Sequence, residues 1–183
     1  MWKNHEICRR PGVIKTPHKF KRFVGSFFAF IHSYVRYGII VWGNASATAL
    51  EPLKILINKA VRIITFAPYG PLDLKPIYKE LEFLTLHQTF LLERGKFMFK
   101  KKKNLLPTVI ANYFETLPRP EHRYNLRSRQ NDSHTFRSNS VIGQKSILNE
   151  GETFCGELPQ YLKDIDSSGT FKKFYKAHLL GIS

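Results

Sequence analysis

Six cations, Arg94, Lys96, Lys100, Lys101, Lys102 and Lys103, crowd into residues 94–103, where the pattern predicts a helix and its end. Consecutive lysines at a helix end point in all directions around the axis, so they cannot all be packed inward, and some must face solvent or phosphate. Attraction to a nucleic-acid backbone would be blind to sequence and weaken steeply with salt. The plainer reading is a solvated end whose charge opposes the negative pole of the helix. A short lysine run also fits nuclear localisation. A second group follows in His122-Arg123-Tyr124-Asn125-Leu126-Arg127-Ser128-Arg129, where Arg123, Arg127 and Arg129 bracket Tyr124. Arginine forks suit phosphate oxygens and the rings offer faces for unpaired bases, although loop composition alone yields such mixtures. Lys59 and Arg62 form a third, smaller group on another expected helix, the kind of pair that ordinary surface helices also carry.

Other chemistries find no footing. Two-metal phosphoryl transfer needs clustered carboxylates, and the aspartates are Asp73, Asp132, Asp164 and Asp166, of which only the last two are close. Asp164-Ile165-Asp166 reads as a helix end running into a solvated loop. The seven histidines are scattered, and no Gly-x-Ser-x-Gly or His-Glu-x-x-His pattern sets a nucleophile or metal beside a base. Cys155 with His178 as its base has nothing to fix the distance between them. No glycine-rich loop ends in Gly-Lys-Ser or Gly-Lys-Thr. Cys8 and Cys155 supply neither a disulfide framework nor a four-ligand zinc site, so reduced, intracellular thiols are expected. The expectation is no catalytic residue, no metal and no cofactor.

The chain of 183 residues is 43% hydrophobic, enough for one core or two small ones. Its charge is the unusual feature: 29 Lys and Arg against 14 Asp and Glu give +15. Such a surplus favours a polyanionic partner, nucleic acid or an acidic membrane. Residues 23–42 have the length of a bilayer span, but His32 and Arg36 near the middle are costly in hydrocarbon. A core helix is the better reading, with Phe23, Phe27, Phe30, Ile31, Tyr34, Gly38 and Val41 on its apolar face. No secretory signal is evident at the amino terminus.

The elements that must position these groups are mainly α-helical. Residues 1–20 are a flexible basic lead in which Pro11, Gly12 and Pro17 break any helix. Residues 21–116 form the helical region. A first helix over 21–42 ends at Gly43-Asn44, and a second begins near Thr48, where Thr48 and Glu51 have capping-box spacing. Its stripe is Leu50, Leu53, Ile57, Ala60, Val61 and Ile64, and the two helices make an antiparallel hairpin. A short helix over 76–84 and a longer one from Thr85 to Lys102 follow, the latter ended by Asn104. Residues 117–183 are loop-rich. Residues 140–147 and 152–154 are expected to pair as a short β-hairpin, before a closing helix over 170–180.

Residues 33–65, SYVRYGIIVWGNASATALEPLKILINKAVRIIT, run apolar helix, Trp42-Gly43 turn, basic helix. That order resembles the thumb and C-terminal region of LINE-type (non-LTR) retrotransposon reverse transcriptases of the jockey kind. PLDLKPIYKELEFLTL at 71–86 is similar to the family's proline-leucine stretch, and 122–129 to its H-x-Y-x-T/L-R block. GETFCGELP at 151–159 resembles its glycine, tryptophan-asparagine, leucine-proline block, and 171–180 its basic final helix. Cys155 and Gly156 stand where the family has tryptophan and asparagine, which suggests a decayed copy. The resemblance covers residues 25–183 and leaves out the catalytic palm.

The resemblance implies a parent enzyme that is an RNA-directed DNA polymerase. For this chain it implies a truncated, non-catalytic helical module that binds RNA, single-stranded DNA or their hybrid, in the nucleus or cytoplasm. The alternatives are a helical module that binds protein through an exposed apolar face of its first two helices, and a non-functional remnant of a transposon reading frame. No membrane partner is expected.

Overall fold

The computed structural model describes residues 17–65, 73–115 and 139–181. The fold is mainly α, and every regular element among the described residues is a helix. They are α1 (Pro17–Ser26), a π-helical segment (Phe27–His32), α2 (Ser33–Arg36), α3 (Ile39–Trp42), α4 (Ala47–Thr65) and α5 (Lys75–Glu80). There follow α6 (Leu86–Lys102), α7 (Thr108–Glu115), α8 (Val141–Gln144), α9 (Ile147–Glu157), α10 (Gln160–Lys163) and α11 (Ser168–Leu180). None of these helices is long and apolar enough to cross a membrane. The chain divides into two compact units, Met1–Ile39 with Ala45–Leu86, and Ile40–Asn44 with His87–Ser183. The division falls at Leu86, inside the 21–116 stretch that the sequence pattern treats as one region.

In the first unit the expected opening helix is corrected at both ends. It starts at Pro17 rather than after it, because proline's missing N–H costs nothing in a first turn. It stops at Arg36: the Tyr37 N–H donates to the carbonyls of Ser33 and Tyr34, and Gly38 takes a left-handed φ of 63°. The π-helical insertion also rotates the faces. Phe27, Val35 and Ile39 are buried, whereas Phe23, Phe30, Tyr34 and Val41, expected inside, are exposed. The rings of Phe27 and Phe83 stack at 5.2 Å, and Phe28 meets Phe83 edge-on at 5.1 Å.

The α4 stripe is as expected at its centre, with Ile57, Val61 and Ile64 buried. Its start is not the Thr48–Glu51 box. The Ser46 hydroxyl accepts from the Ala49 N–H at 3.3 Å, and Glu51 pairs instead with Lys54 at 3.1 Å. The buried Tyr78 of α5 donates its hydroxyl proton to Asn58 Oδ1 at 2.8 Å, and burial pushes its pKa up to about 12. Asp73 Oδ1 accepts from the Lys75 N–H at the start of α5.

In the second unit, α6 and α11 run antiparallel, a register readable from three pairings. Gln88 donates to the Leu179 carbonyl at 2.7 Å, Gly95 faces Tyr175, and the rings of Phe99 and Phe171 stack at 4.7 Å. The α9 helix also packs on α6: a Cβ at Gly151 would lie 2.6 Å from Met98 Sδ. Asn44 donates to the Lys145 carbonyl and to Glu150, tying the Trp42-Gly43-Asn44 turn to the α8–α9 segment.

The expected β-hairpin is therefore wrong. Glycine, asparagine and serine lower the helix propensity of 140–157, but Ile147, Gly151, Phe154 and Leu158 recur at steps of four, three and four, the helical period. Gly151 and Phe154 are buried along that line, so tertiary packing overrides weak propensity. The α7 helix occupies a stretch that the sequence pattern leaves unassigned. Phe114 anchors it, 6.0 Å from the ring of Phe97.

Candidate nucleic-acid interface

The α6 helix ends at Lys102, and Asn104, at φ 53°, closes it as its sequence position implies. Leu105 donates back to the Lys100 carbonyl and Asn104 to that of Lys101. Lys100, Lys101, Lys102 and Lys103 thus fan out around one helix end. Lys100 and Lys102 are exposed; Lys101 and Lys103 are partly covered. The Lys102 ammonium donates to the Lys163 carbonyl at 3.0 Å, at the end of α10. Lys163 in turn donates to the Gly156 carbonyl at 2.7 Å, near the end of α9. Lys103 pairs with Asp166, and that bond holds the exposed Asp166 carboxyl below the usual carboxylate range. Lys101 lies 4.5 Å from the centre of the Phe114 ring, and burial lowers its pKa.

The carboxyl ends of three helices therefore share one cluster of ammonium groups. Each ammonium carries three donors, and helix carbonyls are weak partial charges beside a full cation. Donors and positive charge remain for an anion at exposed Lys100 and Lys102. Lys163 belongs to this cluster and is missed by sequence reasoning, because only folding brings it beside Lys102. Its position at the end of a four-residue helix is a weak signal.

Arg94, expected among the phosphate-facing cations, is engaged inside the fold. Its guanidinium lies 4.4 Å from the Phe154 ring centre and 5.1 Å from that of Phe90, with a 2.9 Å ion pair to Glu150, and its side chain is only 12% exposed. An open cleft of about 400 Å³ runs beside it, lined by Asn149, Glu150, Thr153 and Phe154. Lys96 is likewise drawn into a partly covered pair with Glu93 at 2.7 Å. The two lie on nearly opposite sides of α6, and both are partly covered because that helix buries Phe90, Leu92, Gly95, Met98 and Phe99 around several of its sides.

Lys59 and Arg62 lie on α4, in the other unit, Lys59 exposed and Arg62 partly covered. Arg123, Tyr124, Arg127 and Arg129 lie outside the described residues. Cys155, partly buried, has its thiol pushed up by burial, against the opposing pull of Lys101, Lys102, Lys163 and Arg94. The Cys155–His178 pairing is not formed: His178 Nδ1 shares a 3.0 Å hydrogen bond with the Tyr161 hydroxyl. Asp164 follows α10 and leads into the loop before α11, as its sequence implies, and accepts from Gln160 at 2.9 Å. Among the described residues no three His, Cys, Asp or Glu side chains gather as a metal site would require. No protein-family model, curated protein or solved structure matches the chain.

Proposed function

We propose that this chain is a non-catalytic helical module that holds RNA, single-stranded DNA or an RNA–DNA hybrid by its backbone, derived from the thumb and C-terminal part of a non-LTR retrotransposon reverse transcriptase. The observation that carries the binding reading is the lysine cluster at the end of α6. Lys100 and Lys102 stand exposed, Lys101, Lys103 and Lys163 stand beside them, and the Asp166 carboxylate pairs with Lys103. A cluster of ammonium groups with donors to spare suits phosphates and carries no base readout. The family reading rests on the order of sequence blocks across residues 25–183, and with it goes a location inside the cell, in nucleus or cytoplasm.

The test is binding of a labelled RNA–DNA hybrid across a salt series by the full chain and by a variant with Lys100 and Lys102 changed to Ala. The expected result is weaker binding, with the salt slope shallower by about 0.7 to 0.9 for each phosphate that is no longer neutralised. Unchanged affinity and slope would leave these lysines as helix-end charges alone. Primer extension with the same hybrid should give no incorporation, and measurable synthesis would overturn the non-catalytic reading.

A further inference from the structure

The side of α4 that faces away from Ile57, Val61 and Ile64 is not a polar surface. Pro52, Leu56, Lys59 and Ile63 follow one another at steps of four, three and four residues, which sets them on one line along the helix. Leu56 is 60% exposed and Ile63 67%, and Ile55, beside the line, is 44% exposed. Single exposed aliphatic residues are ordinary on a protein surface. A row of them at this spacing has the form that a second helix covers, ridge against groove.

Charge identifies the partner. Lys59 stands exposed in the middle of the row, one turn from both Leu56 and Ile63, and Arg62 borders it. The carboxylate that α4 carries, Glu51, is held by Lys54 at 3.1 Å near the start of the helix. Covering the row strips water from Lys59, which is costly unless the partner brings a carboxylate opposite it.

We propose that this face of α4 binds an amphipathic helix of another protein, one that carries an aliphatic stripe flanked by Asp or Glu. A second copy packing through the same face would set Lys59 against its own counterpart. Single-stranded nucleic acid would find no ring in the row on which to stack a base. A bilayer surface calls for cations at the margin of the apolar stripe, whereas here one sits at its centre. The proposal stands on the first unit alone and is independent of the lysine cluster on α6.

The experiment uses the full chain and two labelled synthetic helical peptides with leucines at alternating three- and four-residue spacing, one flanked by Glu and one by Lys, followed by fluorescence anisotropy. The Glu peptide should bind, and Leu56→Ser with Ile63→Ser should weaken it about tenfold or more, as removal of central interface residues does. Lys59→Glu should weaken the Glu peptide and strengthen the Lys peptide. All three positions are exposed, so the variants should keep the parent circular dichroism spectrum and melting curve. Equal binding of the two peptides, or affinity unchanged in the serine variant, would overturn the proposal. So would self-association in sedimentation, or binding to phosphatidylserine vesicles or to a labelled single strand, that the same serine substitutions abolish.

Discussion

Gly95 in α6 sits so close to Tyr175 in α11 that a Cβ at this position would lie 2.7 Å from Cε1 of the ring. In an isolated helix, Gly95→Ala would stabilise by about 1 kcal/mol. Here the overlap costs more, because Tyr175 is buried and its ring is stacked on Phe171 at 5.5 Å. The expected net loss is about 1–3 kcal/mol in urea unfolding, in the range of overpacked cores. Gly151→Ala should cost less, since its near neighbour is the unbranched thioether end of Met98, which, though buried, adapts more readily than a stacked ring. Equal losses at the two glycines would contradict the packing described.

Arg94→Met should destabilise the second unit by about 1–3 kcal/mol, since it removes a partly covered ion pair and the cation over two rings. Arg94→Lys should recover little of this, because a point charge cannot lie flat between rings and grip a carboxylate at once. The salt slope of nucleic-acid binding should be unchanged in both. A shallower slope would return Arg94 to the phosphate-binding set.

Stability should fall in strongly alkaline solution. Tyr78 and Tyr175 are both pushed up to about 12 by burial, Tyr175 against some relief from Arg94. In the unfolded chain they ionise near their ordinary value of 10, so between about pH 10 and pH 12 the unfolded state has released protons that the folded state still holds. The unfolding free energy therefore declines as pH rises through that window. Chemical denaturation at about pH 9 and about pH 11.5 checks the loss, and tyrosinate absorbance should show two late-ionising phenols. Tyr78→Phe should flatten part of the decline.

Cys155 should react slowly. Its thiol is raised by burial, and the nearby cations only partly offset this. At neutral pH the thiolate fraction lies below that of an ordinary cysteine. Alkylation by iodoacetamide, followed on the peptide containing Cys155 by mass spectrometry, should lag behind a free thiol standard and accelerate on mild denaturation. A rate above the standard would mean the lysines, rather than burial, govern the group.

Helix class and the α4 core were legible because Ile57, Val61 and Ile64 repeat at the helical period without interruption, and Asn104 was legible as a helix end because it is one of the few residues that tolerates positive φ. The inward face of α1 and α2 was not. The π-helical segment shifts the phase after Ser26, and Gly38 breaks the run, so a single wheel drawn over 23–41 mixes two faces. The α9 helix was hidden because Gly151 reads as a breaker until Met98 is seen filling the space it leaves. Within the candidate site the lysine run was plain, yet Arg94 could not be told from its neighbours. Its role depends on Glu150 and Phe154, more than fifty residues further along.

The pairing of α6 with α11 brings the Gln88 side chain against the Leu179 carbonyl, 91 residues apart in the chain. On a ribosome the earlier helix emerges long before its mate, with Phe99 and Gly95 still uncovered. The second unit cannot close until α11 has left the exit tunnel, whereas every described element of the first is made before Leu86. Premature termination anywhere before Ser168 would release a half-built unit with its aromatic seam open.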